Sequence, residues 1–259
     1  MNDIPIPGDG VVENDHRLAA WAATVAGDLL TEVRAQGLQG KELKDAGDRS
    51  AHELLMQLLT THRPDDAVLS EEGKDDDKVR LSAKRVWIVD PLDGTREFSE
   101  PPRDDWAVHV ALWEDGELVV GAVAQPGLDT TFSTGEPPVV PPRTSERPRI
   151  AVSRTRPPAF VEAMAAEIGA DLVPMGSAGA KVISVVRDVT DAYVHAGGQY
   201  EWDSAAPVAV ARAAGLHTSR VDGSPLVYNQ DDVLLPDLVV CRPELADPIL
   251  DFVRRRGAS

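Results

Sequence analysis

The stretch VWIVDPLDGTREF, Val86 to Phe98, decides how this chain is read. Val86, Trp87, Ile88 and Val89 form an apolar run suited to a strand covered on both faces. Asp90, Pro91, Leu92, Asp93, Gly94 and Thr95 follow without a gap. Pro91 cannot donate to a ladder, so strand pairing is expected to end at Asp90. The proline also biases Asp90 towards extended backbone and lets the chain turn, so that Asp93 aims at the same point. Convergent carboxylates repel unless they share a cation or a proton, which makes a rigid strand-end pair a candidate hard-metal site. Gly94 permits close backbone approach, and a helix beginning at Thr95 would offer free amides to a phosphate oxygen. The plain alternative is a solvated Asp-Gly turn.

Other acidic residues acquire meaning next to this segment. In VLSEEG, Glu71 and Glu72 follow a short apolar strand, where they would supply further oxygens to a magnesium ion that keeps several waters; otherwise they are a surface turn leading into EEGKDDDK. The run Asp75-Asp76-Asp77 reads as a charged loop. YEWDSAAP puts Asp203 at the start of a helix, where N-capping is its ordinary duty. In LKDAGDRSAHELL, Asp45 and Asp48 stand just before a helix that one of them would cap. GSAGAK, which carries Lys181, lacks the spacing and the terminal Lys-Ser/Thr of a P-loop. Cys241, the only cysteine, lies in LVVCR and reads as an inert strand residue.

Outward from these motifs, helical spacing runs from Asp15, placed as an N-cap, to about Gln36, and a second helix opens at Ser50 and stops before Pro64. AVLSEEG, RVWIVD, WAVHVALWEDGELVVGAVAQP and DTTFSTG then read as strands, with a hairpin at Asp115-Gly116. Helices followed by antiparallel strands predict an α+β lobe over residues 1–140. The segment 135–148 holds five prolines and reads as an extended connection. Beyond it, RIAVS, DLVPM, DAYVHA and DLVVC alternate with four helices, which predicts an α/β lobe over residues 148–259 contributing Asp203.

Composition narrows the function classes. A chain of 259 residues, 42% hydrophobic and 27% charged, suits a globular enzyme. Its formal net charge of -17 argues against a nucleic-acid polymer as partner, because such binding needs a basic footprint. No stretch approaches the apolar length of a membrane span, and the N-terminus lacks the pattern of a signal peptide. A cytoplasmic protein with no membrane partner is expected.

SEEG, DPLDGT and WDSAAP, in that order, resemble the magnesium-dependent, lithium-sensitive phosphatases of the inositol monophosphatase superfamily. Within it, GTREF, AVSRTRP and GSAGAKVISVVRDVTDAYVHAGGQYEWDSAAP are most similar to the CysQ-type bisphosphate nucleotidase branch. The resemblance implies an αβαβα sandwich of the sugar-phosphatase type. It implies magnesium ligands at Glu71, Asp90, the Leu92 carbonyl, Asp93 and Asp203, with more than one ion, inhibited by lithium. Thr95 and Asp48 would orient and activate the attacking water, with Glu71 also catalytic. Asp93, Gly94, Thr95, Lys181 and Asp203 would meet the substrate. Asp45 and Gly47 replace the family's usual Thr and Ala, which puts the geometry around Asp48 in question.

The activity so implied is hydrolysis of 3'-phosphoadenosine 5'-phosphate to AMP and phosphate, and of 3'-phosphoadenylyl sulfate, without a covalent intermediate. Inositol 1-phosphate and fructose 1,6-bisphosphate are alternative substrates on the same scaffold. A role in sulfate assimilation and a homodimer are expectations of the resemblance alone. Haloacid-dehalogenase phosphatases share Asp-Gly-Thr, but the position of their nucleophilic Asp is Pro91 here, which cannot attack. A non-catalytic metal- or metabolite-binding protein is the rival of another class, and it would have no use for the Thr95–Asp48 pair.

Overall fold

The computed structural model of the protein describes residues 6–256. The first five residues of the N-terminus weighed above for a signal peptide, and the last three of the expected second lobe, lie outside the described residues. Helix α1 (Asp15–Ala35) is capped by Asn14, whose side chain accepts the Arg17 amide. Asp15 is therefore the first helical residue rather than the cap. Its carboxylate instead pairs with Arg63 and Arg85 at 2.5 and 2.8 Å.

Helix α2 (Gly40–His62) begins ten residues before the expected start at Ser50. Leu43, Gly47, Ala51, Leu55 and Leu59 are buried at a spacing of four, one continuous stripe against the sheet. Gly47 belongs to that stripe and is not a break, so Asp45 and Asp48 lie inside the helix and cap nothing. Strand β1 (Ala67–Ser70) ends just before Glu71. The acidic run expected to be a loop carries helix α3 (Asp77–Ser82), capped by Asp76 and pinned where Arg80 pairs with Asp75 at 2.8 Å.

Strand β2 (Arg85–Asp93) is longer than expected. It pairs with β3 (Ala107–Glu114) as far as Asp90 opposite His109, then breaks register over Pro91-Leu92 and resumes at Asp93 opposite Ala107. Pro91 interrupts the ladder without ending it, because a bulge absorbs the missing donor. One turn of helix, α4 (Thr95–Phe98), follows β2. The expected hairpin joins β3 to β4 (Glu117–Gln125), with Asp115 and Gly116 both at positive φ. Strand β5 (Thr130–Ser133) completes a sheet ordered β1-β2-β3-β4-β5, in which only β1 and β2 are parallel.

Residues 137–147 have no regular structure. Then come β6 (Arg149–Ser153), α5 (Ala159–Ile168), β7 (Asp171–Met175), α6 (Ala178–Val186), β8 (Ala192–Tyr200), α7 (Glu201–Ala213), β9 (His217–Ser219), β10 (Leu234–Cys241) and α8 (Pro243–Arg256). Their sheet runs β7-β6-β8-β10-β9. The short strand β9 was not legible in the sequence. The buried apolar residues form three clusters: α1 and α2 on the first sheet, α6 and α7 between the sheets, and α5 and α8 on the far side of the second. The result is a layered αβαβα sandwich. Helix α7 packs so closely on β4 that a Cβ on Gly121 would stand 2.6 Å from Ala209 Cβ. Cys241 is buried in β10, and no helix among the described residues is long and apolar enough to cross a membrane.

Candidate active site

The register break in β2 builds the site. Asp90 is 1% exposed, and its Oδ1 accepts the Leu92 amide at 3.0 Å, so its side chain folds over its own turn. Gly94 adopts φ 86°, a left-handed conformation that aims the chain into α4. A Cβ there would meet Ser177 Cβ at 2.9 Å. The start of α7 brings in the third carboxylate. Tyr200 is the N-cap of α7, and Asp203 sits at the third helical position, where it accepts the Tyr200 amide at 2.6 Å. Asp203 is thus part of the capping arrangement without being the cap itself.

Asp90, Asp93 and Asp203 each offer an oxygen within 4.8 Å of the others. Burial and the charges of Glu71, Asp93 and Asp203 push the Asp90 carboxyl well above the usual carboxylate range. Burial and Asp93 push Asp203 up to about 6. Glu71 is exposed over much of its surface, but burial of its carboxyl and the charges of Asp203, Asp93 and Glu72 push it up to about 7, against a hydrogen bond with Asp90, which lowers it. The repulsion is what a cation would relieve, and the all-oxygen donor set fits a hard divalent ion.

Asp93 behaves differently. Burial would raise it, but hydrogen bonds and the neighbouring His109 outweigh that and hold it low. Its Oδ2 accepts Ser177 Oγ and the Gly179 amide, both at 2.6 Å, and its Oδ1 accepts the Ala178 amide at 3.1 Å. These donors form the N-terminus of α6, where a negative charge is favoured. His109 Nε2 stands 3.2 Å from Asp93 Oδ2, off the hydrogen-bond axis, and its Nδ1 meets the Trp202 carbonyl at 3.1 Å.

Thr95 Oγ1 donates within reach of Asp48 Oδ1 at 3.3 Å and the Leu92 carbonyl at 3.2 Å. Burial and the charge of Glu72 push Asp48 up to about 6, against the Thr95 hydrogen bond, which lowers it. The replacements at Asp45 and Gly47 have not displaced this pair. Asp45 faces outward and pairs with Lys41, and Gly47 lies against Leu92 and Phe98.

Lys181 lies on α6 but is only 6% exposed, so it is not a solvated lysine on a helix face. Its ammonium donates to the Gly176 and Ser177 carbonyls and lies 5.2 Å from the Tyr193 ring centroid. It therefore holds the loop that grips Asp93. Arg154, in the AVSRTRP segment, reaches Glu97 at 2.7 Å and Glu100 at 2.9 Å and ties β6 to α4.

Sequence reading missed His109 and the Ser177–Gly179 grip on Asp93. The first had a signal: one titratable residue in the otherwise apolar run AVHVAL. The second had none, since three small residues before a helix are ordinary.

The chain matches the model of the inositol monophosphatase family over residues 13–249. It is 50% identical over 254 residues to a protein of Mycobacterium leprae (strain TN) named 3'-phosphoadenosine 5'-phosphate phosphatase, covering 93% of each chain. A protein of the same name from Mycobacterium bovis (strain ATCC BAA-935 / AF2122/97) is 53% identical over 238 residues, 87% of each. Among solved structures, CysQ from Bacteroides thetaiotaomicron, a bacterial member of the same family, superimposes with a TM-score of 0.75 at 26% identity, covering 88% of this chain and 97% of that one.

Proposed function

Because the chain belongs to the inositol monophosphatase family, we propose that it is a magnesium-dependent phosphomonoesterase that converts 3'-phosphoadenosine 5'-phosphate to AMP and phosphate. The observation that carries the reading is the convergence of Asp90, Asp93 and Asp203 beside the Thr95–Asp48 pair. A binder alone has no need of that pair. Glu71, Asp90, the Leu92 carbonyl, Asp93 and Asp203 would hold magnesium, with more than one ion. Lewis-acid activation of water and neutralisation of phosphate charge are what the bound metal supplies.

The chain's own residues do the rest. Thr95 Oγ1 orients the attacking water and relays its proton to Asp48. A carboxyl pushed up to about 6 is ionised at neutral pH, yet basic enough to take that proton. The amides at Gly94 and Thr95 receive phosphate oxygens. Asp93 and Asp203 border the substrate, and Lys181 acts on it through the loop it holds and through its buried charge. The lobes 1–140 and 148–259 meet at this site, the second contributing Asp203. Lithium inhibition, a cytoplasmic location, a homodimer and a role in sulfate assimilation belong to the same reading.

The test is magnesium-dependent phosphate release from 3'-phosphoadenosine 5'-phosphate, inositol 1-phosphate and fructose 1,6-bisphosphate, with and without lithium. The nucleotide is expected to be the best substrate and lithium to inhibit. Preference for either sugar phosphate would overturn the nucleotide assignment.

A further inference from the structure

The segment Tyr228–Gln230, between β9 and β10, is gripped from two sides. From α7, the Glu201 carboxylate accepts the Asn229 amide at 2.6 Å and the Gln230 amide at 2.8 Å. The adjacent Ser204 hydroxyl meets the Tyr228 hydroxyl at 3.1 Å. From α3, Arg80 Nη1 donates to Asn229 Oδ1 at 2.7 Å and to the Gln230 carbonyl at 3.0 Å. The other edge of the same guanidinium holds both oxygens of Asp75. Arg80 and Glu201 are each 1% exposed. Asn229 itself adopts φ 60°, a left-handed conformation that asparagine tolerates better than most residues.

Placement in the chain gives this crosspiece its meaning. Asp75 lies four residues beyond Glu71, and Glu201 lies two residues before Asp203. Glu71 follows a strand of the first sheet, while Asp203 stands in the first turn of a helix that follows a strand of the second. Carboxylates drawn from separate sheets repel and would spread apart unless their backbones were fixed. Charge-assisted hydrogen bonds out of solvent supply rigidity as well as energy.

We propose that Arg80 and Glu201 are positioning residues that, through Asn229 and Gln230, lock the Glu71 loop to the start of α7 and set the spacing at which the carboxylates bind a divalent cation. This rests on the reading of the acidic cluster as a metal site.

Calorimetric titration of the full-length protein with magnesium alone tests it. Arg80→Met and Glu201→Gln are expected to weaken magnesium binding about tenfold, the scale seen when outer-shell partners of metal ligands are lost. The double variant should lose no more than the worse single variant, because both act through one segment. Asn229→Gly keeps the left-handed backbone and removes only the carboxamide, so it should shift affinity in the same direction even if Arg80→Met fails to fold. Arg242→Met is the control. It breaks a separate buried cluster in which Arg242 pairs with Asp188 and Asp191, and it should bind magnesium as the wild type does. Wild-type affinity in both Glu201→Gln and Asn229→Gly, or an equal loss in Arg242→Met, overturns the proposal. Absence of magnesium binding by the wild type would instead overturn the metal site itself.

Discussion

Gly47 and Phe98 meet where there is no room for a methyl group: a Cβ on Gly47 would stand 2.7 Å from Phe98 Cε1. The ring has little freedom to retreat, since it meets Trp106 edge-on at 5.1 Å and lies under the Arg34 guanidinium at 5.8 Å. Gly47→Ala is expected to cost about 1–3 kcal/mol through overpacking, against a gain of about 1 kcal/mol in helix propensity. Turnover should fall too, because Asp48 is the next residue and Thr95 opens the turn that carries Phe98. Gly47→Ala/Phe98→Leu should restore it. Wild-type turnover in Gly47→Ala alone, measured by phosphate release, would contradict this account.

Asp90→Asn separates stability from function. The carboxamide keeps the shape of the buried carboxyl and removes its charge from the repelling cluster. The metal-free variant should be more stable than the wild type at neutral pH, on the order of 1 kcal/mol, as in other trades of activity for stability. Phosphate release should vanish, and magnesium should no longer raise the melting temperature. Thermal scans with chelator and with magnesium check both halves.

The pH dependence of the metal-free protein follows from raised carboxyls at Asp48 and Asp203, each about 6, at Glu71 and Glu201, each about 7, and at Asp90. In the unfolded chain these groups titrate near about pH 4. Between about pH 4 and 7 the native state therefore binds more protons than the unfolded state, and stability falls as pH rises. Asp93, held low, runs the other way: its contribution is present above its unfolded value and lost only in stronger acid. Melting temperature in chelator should decline from about pH 5 to about pH 8, and magnesium should flatten the decline. A melting temperature that rises over that range would refute the assignment.

Asp48→Asn and Thr95→Ala should lower kcat by about a hundredfold to ten-thousandfold, the range for a lost general base. Magnesium affinity should stay near the wild-type value, because neither residue belongs to the carboxylate cluster. The acid limb of kcat/KM, expected near pH 6 from the Asp48 carboxyl, should disappear in Asp48→Asn. A limb unchanged in that variant would move the base elsewhere.

How much of this was legible in the sequence depended on whether the cause was local. Val86 to Thr95 disclosed strand and helix start, because its apolar run and Gly94 act locally, but the bulge that carries pairing past Pro91 to Asp93 depends on β3 and was not legible. The early start of α2 was hidden, since Ser50 reads as a helix opener until Leu43 and Gly47 are seen to carry the buried stripe back beyond it. The burial of Lys181 was not legible, because nothing nearby in sequence announces the Gly176 and Ser177 carbonyls that hold its ammonium. The grip of α6 on Asp93 joins residues far apart in the chain, and no periodicity encodes it.

Helix α7, seated between the sheets and pressed against Gly121, bears on what the exposed link at 137–147 is for. Val139 within that link is 90% exposed, an inviting point for a protease. A cut there would leave two fragments in one particle, with Asp203 still opposite Asp90 and Asp93. The sheets are held by a wedge as well as by a tether.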